Sequence, residues 1–208
     1  MMFKLTKADY AAIENRDDEY LNEKGANYYA KGDYENAIEY YRLAATFGNT
    51  YSISNLGYCY MYARSIEKNM ALALAYFKIA SSEDDVEATY KLGNIYMHGE
   101  EDIEQDVDLG LYYYRRACDI IEKNCDKCTE YPSLYFSLAK EHMEGGHLFC
   151  DYEVAYKMLM IAKIGYENAI NNNIKLYDSA YQSVLELLKD HHFDNIKLEE
   201  NDYEFLDD

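Results

Sequence analysis

A fourfold repetition constrains this chain more than any other feature. The pattern is Asp or Asn, three residues, a small residue, six residues, Ala. It occurs as Asp33-Ala37-Ala44, Asn69-Ala73-Ala80, Asp106-Gly110-Ala117 and Asp151-Ala155-Ala162. An Asp or Asn side chain at a helix start accepts from the free amides of the first turn. Small residues seven apart lie on one helix face. Each match therefore reads as a capped helix with a close-packing stripe. A second pattern precedes each match: Gly25 with Tyr28, Leu56-Gly57 with Tyr60, Leu92-Gly93 with Tyr96, and a weaker Leu138-Ala139 with His142. The small residues of this upstream arm step by 32, 36 and 46 residues. Periods of that size belong to solenoids of helical hairpins.

With those residues in hand, the chain resembles the Sel-one-like repeat (SLR) family, a branch of the tetratricopeptide-like solenoids. The family unit reads approximately A-x3-LG-x2-Y-x2-G, a loop, then D-x3-A-x2-Y-x3-AA-x2-G. Ala88 to Gly99 follows the first half, and Ala44-Ala45 with Gly48 follows the end. Tyr40, Tyr76, Tyr113 and Met158 occupy the aromatic position of the second half. Ala63 stands where the second unit's loop glycine belongs, and Ala139 with His142 replaces the fourth Gly/Tyr pair. The resemblance covers about residues 18–165. It implies an all-α, right-handed solenoid of about four SLR or tetratricopeptide-like hairpins with capping helices at its ends.

Composition agrees with that fold. Among 208 residues there is one proline, and 28% are charged. Both suit a nearly all-helical chain. Tyrosine occurs 25 times and tryptophan not at all. Tyr28, Tyr41, Tyr60, Tyr96 and Tyr113 fall at repeat positions, where rings pack between helices and hydroxyls stay wet. The formal net charge is −19. This argues against direct binding of nucleic acid, where cations must neutralise phosphates, and against docking on anionic membrane. It suits a basic partner. No apolar run of spanning length and no apolar leader segment is visible in the sequence. Five cysteines, an odd number, then favour reduced thiols in the cytoplasm.

The expected order is a capping helix within 1–17, four repeats at about 18–48, 49–85, 86–122 and 133–165, a C-terminal capping helix within 166–190, and an acidic tail over 191–208. The three asparagines at 171–173 weaken any helix that crosses them. In the tail, Tyr203, Phe205 and Leu206 could dock as a small apolar plug.

The sharpest signal outside the repeats is Cys125-x2-Cys128 followed by His147-x2-Cys150, a two-plus-two zinc spacing. The pairs flank the first helix of the fourth hairpin. A helix of about 12 residues is about 18 Å long, whereas zinc holds its ligands within about 2.3 Å. Loop thiols are the expected outcome, with no metal and no cofactor. His191-His192 reads as polar surface. No G-x4-GK[ST], G-x-S-x-G or H-E-x2-H motif occurs, so the chain is read as non-catalytic.

The SLR resemblance places the first helix of each hairpin on the concave face. The partner-binding residues it implies are Asn22, Tyr29, Tyr51, Ser54, Tyr58, Met61, Tyr62, Tyr90, Asn94, Met97, His98 and Lys140. Tyr, Met and Asn supply rigid contact area, adaptable packing and hydrogen bonding. The expected function is an adaptor or scaffold that holds a protein or peptide on this face. The alternative is an acidic inhibitor whose surface fills the basic cleft of a nucleic-acid-processing enzyme.

Overall fold

The computed structural model describes residues 3–124, 126–145, 148, 150–172 and 174–197. Cys125, His147, one of the three asparagines and the tail from residue 198, including Tyr203, Phe205 and Leu206, lie outside the described residues. Ten α-helices follow one another, and no strand is present among the described residues. They are α1 (Lys7–Asn15), α2 (Asp18–Ala30), α3 (Tyr34–Thr46), α4 (Thr50–Met61), α5 (Met70–Ser82), α6 (Val86–His98), α7 (Val107–Asn124), α8 (Pro132–Glu144), α9 (Tyr152–Asn171) and α10 (Asp178–Leu187). The fold is an all-α solenoid of helical hairpins. The chain forms two compact units, Met1–Tyr113 and Tyr114–Asp208, with the boundary inside α7.

In the first unit, α2 packs on α3 and α4 on α5, while α3 meets α4 and α5 meets α6. The repeated Asp/Asn positions are N-caps. Asp33 accepts from the Asn36 amide at 3.3 Å, Asn69 from Leu72 at 2.8 Å and Asp106 from Leu109 at 3.0 Å. Asp17, Asn49 and Asp85 cap the first helices in the same way. The small residues Ala37, Ala44, Ala73, Ala80 and Ala117 are wholly buried. Gly57 is required by its neighbour, because an added Cβ would lie 2.7 Å from the Phe77 ring.

The three hairpins share an aromatic clasp. The tyrosine three residues after the first-helix glycine stacks on the tyrosine seven residues after the second-helix cap. Tyr28 stacks on Tyr40 at 5.5 Å, Tyr60 on Tyr76 at 5.6 Å and Tyr96 on Tyr113 at 5.8 Å, all within 11° of parallel. Such pairs add about 0.5–1.5 kcal/mol beyond their burial. Ala63, which stands in for the family glycine, has φ of 53°. That left-handed conformation costs a non-glycine residue about 1–2 kcal/mol.

The N-terminal end is closed by α1. Thr6 and Asp9 form a capping box. The Asp9 carboxylate is fully buried. It pairs with Lys24 and accepts from Tyr40 at 2.9 Å and Tyr20 at 3.2 Å. Burial opposes the ionised form. The bonds from Lys24, Thr6 and Tyr40 outweigh it and hold Asp9 well below the usual carboxylate range.

In the second unit, α8 packs on α9 and α10 on α9. Pro132 opens α8, since its missing amide costs nothing in a first turn. Asp151 caps α9 through the Glu153 and Val154 amides. α9 continues past the end of the expected fourth hairpin, through the buried Tyr166, and ends at Asn171. Asn171 and Asn172 thus fall at its C-terminus. Val184 of α10 is fully buried, and Tyr181 donates to Glu167 at 2.5 Å.

Two predictions follow from these contacts. Gly110→Ala would bring a Cβ to 2.8 Å from the Met97 backbone nitrogen, and overpacking of this kind costs about 1–3 kcal/mol; urea unfolding should show that loss. Asp9→Asn should destabilise by about 2–4 kcal/mol, because it leaves Lys24 without its buried counter-charge. A lowered native pKa places the Asp9 contribution above the unfolded value of 3.8 and removes it as pH falls. The variant should therefore lose part of the wild-type sensitivity to acid.

Candidate functional site

Hydrogen bonds between consecutive first helices set the register of the candidate face in the first unit. Asn49 donates to Asp18 at 2.8 Å, and Ser52 donates to Asn22 at 2.8 Å. Further along, Tyr58 of α4 donates to Glu87 of α6 at 3.4 Å. Counted from Gly25, Gly57 and Gly93, the first-helix positions fall into two stripes. Offsets −3 and +4 are seven residues apart and share one side. Offsets −6, +1 and +5 lie about 40–100° further round a helix of 3.6 residues per turn.

The two stripes have different environments. On the second, Tyr51 is 68% exposed and Tyr62 48% exposed. His98 is also exposed, while Tyr58 and Asn94 are half-buried. On the first, Asn22 and Tyr29 of α2 are half-buried, whereas Ser54, Met61, Tyr90 and Met97 are 3%, 9%, 4% and 0% exposed. These last four are a correction to the expected contact surface. Ser54 and Met61 lie on the side of α4 that faces α6. Met97 backs onto Gly110. They lie beneath the face and offer little contact area. Lys140, in the second unit, is exposed, with its ammonium 5.0 Å from the Phe136 ring centre.

Side chains that the sequence reading did not pair form the polar centre of the face. Lys91 sits 5.5 Å from the Tyr58 ring and 5.1 Å from Tyr90. It shares this ground with Glu87. Burial pushes the Glu87 carboxyl up to about 7, Lys91 and the tyrosine hydroxyls opposing. Burial also lowers Lys91 and raises Tyr58 well above the ordinary phenol value. A third cation, Arg64, lies 4.9 Å from the Tyr34 ring and 5.9 Å from Tyr62, and bonds Tyr29. It ties the first hairpin to the loop of the second. The sequence signal for these pairs was present, since Glu87 and Lys91 are four apart on one helix.

Of the two-plus-two zinc spacing, only Cys128 and Cys150 are among the described residues. Cys128 precedes α8 and receives the Tyr135 hydroxyl at 3.0 Å; Cys150 follows α8 and is exposed. The two stand on opposite sides of a 13-residue helix. Burial pushes Cys59 to about 12 and Cys118 to about 11, so both remain thiols at neutral pH. His191 and His192 are exposed beside Asp190, which is occupied in capping its own turn and in a 2.6 Å contact with the His192 Nδ1. No helix among the described residues is long and apolar enough to cross a membrane.

The chain matches the Sel1 repeat family over residues 20–49, 50–85 and 86–120. These three segments coincide with the three clasped hairpins. The chain is a Sel1-repeat protein. Sel1 repeats are in general protein–protein interaction modules. A protective antigen from uropathogenic Escherichia coli with an SLR fold superposes on 92% of this chain and 52% of its own, with a TM-score of 0.50 and 14% identity. At that identity the likeness concerns the fold alone. A Sel1 repeat protein from Oxalobacter formigenes has a TM-score of 0.46 at 24% identity, over 53% of this chain and 85% of its own. Chitin synthase regulatory factor 3 of Schizosaccharomyces pombe is 29% identical over 86 residues. That match takes in 41% of this chain and 9% of the regulatory factor, so this chain spans less than a tenth of that relative's length.

The Glu87 shift predicts a pH effect. The folded carboxyl holds its proton more tightly than the unfolded one, whose value is 4.5. The resulting stabilisation is complete below about pH 4.5 and is lost as pH rises through 7. In Glu87→Gln the fall in melting temperature between pH 5 and pH 8 should be smaller than in wild type.

Proposed function

We propose that this Sel1-repeat protein is a non-catalytic adaptor that holds a protein or peptide on the face of α2, α4 and α6. The observation that carries the reading is the pair of large exposed rings, Tyr51 and Tyr62, on a face whose neighbouring stripe is packed away. Tyr10 and Tyr112 are exposed as well, but Tyr51 and Tyr62 lie at the two ends of one first helix, on the face the repeat presents. Aromatic side chains are enriched at the centre of protein interfaces, where they bury much area at little entropic cost. The capped and clasped hairpins hold the face rigid, which lowers the cost of binding.

A second reading has a specific observation behind it, the net charge of −19. Under it, the acidic surface fills a basic cleft, and the tyrosines are indifferent. Long-range attraction of that kind is screened within about 8–10 Å at physiological salt.

Affinity capture from native lysate separates the two. Wild type should retain a partner that a Tyr51→Ala, Tyr62→Ala double variant loses, with the melting temperature of the variant unchanged. A partner kept by the double variant but released in 0.5 M salt would overturn the face assignment in favour of the acidic reading.

A further inference from the structure

The first unit holds cations in one recurrent way, between a carboxylate and tyrosine rings. Lys24 pairs with Asp9 and lies 4.9 Å from the Tyr40 ring and 5.6 Å from Tyr20. Lys91 shares the Glu87 neighbourhood and lies against Tyr58 and Tyr90. The geometry is that of a cation–π contact reinforced by charge. The same residue types meet once more on the open face. Glu19 and Glu23 are exposed on α2, four residues apart and on one side. The bonds from Asn49 to Asp18 and from Ser52 to Asn22 seat the first turn of α4 beside them. That places Tyr51, 68% exposed, at the register position next to Glu19. Neither glutamate takes part in an ion pair among the described residues; Lys24 is committed to Asp9, Arg16 lies 5.5 Å from the Phe47 ring, and Arg64 bonds Tyr29 and lies against Tyr34.

We propose that the open face takes an extended peptide segment carrying an arginine or lysine, with the cation on the Tyr51 ring beside Glu19 and Glu23 and an apolar residue several positions further along the segment, toward Tyr62. This rests on the adaptor reading and names its partner by chemistry. Charge complementarity selects the cation. The exposed rings select an apolar flank over a bare polybasic run. A guanidinium suits the position better than an ammonium, because it can stack on the ring while donating to both carboxylates.

The test uses dye-labelled ten-residue peptides in which arginine alternates with leucine, and the same peptide with citrulline in place of arginine. Binding is read by fluorescence anisotropy on the full chain at 0.15 M salt. The arginine peptide should bind. Its dissociation constant should rise at least about fivefold in Glu19→Gln, Glu23→Gln and in Tyr51→Ala, a size set by exposed cation–π and ion-pair contacts. A control variant, Glu122→Gln with Glu144→Gln, removes the same charge from exposed positions of the second unit and should change binding less than about twofold. Thermal melts establish that each variant is folded. Equal losses in the two charge variants would mean general attraction to an acidic chain and would overturn the proposal. So would failure of the arginine peptide to bind. If the citrulline peptide binds as well as the arginine peptide and only Tyr51→Ala weakens it, the cation preference is refuted while the adaptor face stands.

Discussion

Everything in the first unit depends on how closely two helices of a hairpin approach. A first-helix glycine or a second-helix Ala/Gly stripe removes the side chains that would hold the axes apart. Rings then fill the space on either side. Gly25 lies under Tyr41 and Gly57 under Phe77, each so close that a Cβ would sit 2.7 Å from the ring. The tyrosine stack next to that contact repeats in three hairpins at the same two positions. Because interiors are packed to crystal-like density, the glycine and the ring are one device. Enlarging the first or trimming the second breaks the same contact.

This device settles what the open face can be. Rings used in clasps are buried or half-buried and are not available for binding. On α4, Tyr51 and Tyr62 stand out because their helix has already met its packing needs through Leu56, Gly57 and Cys59. The cations of the unit are treated in the same economical way. Lys24, Arg64 and Lys91 lie against rings, which leaves the acidic residues of the exposed stripe to set its charge.

Much of this architecture was legible in the residues. The four Asp/Asn positions are N-caps because capping is decided within one turn. The alanines seven apart are buried because a helix has one period and one inner face. The short helix before the first repeat and the proline opening α8 follow from equally local rules. The unnoticed caps Asp17, Asn49 and Asp85 obey the same rule and could have been read in the same way. The stacking partners are a different matter: Tyr28 and Tyr40 are each marked by the repeat, but their contact crosses between helices.

The candidate face was legible only in outline. The repeat determines which helix of each hairpin is the first and which residues follow its glycine. It does not determine which flank of that helix stays open, because offsets −3 and +1 are only about 40° apart. Amphipathicity cannot resolve so small a rotation when both positions carry Tyr, Ser, Asn or Met. The tertiary structure decides it. Ser54 and Met61 at offsets −3 and +4 are buried, while offsets −6 and +5 keep Tyr51 and Tyr62 in solvent. Local chemistry wrote the helices, their caps and their spacing. The angle at which one hairpin leans on the next chose the surface.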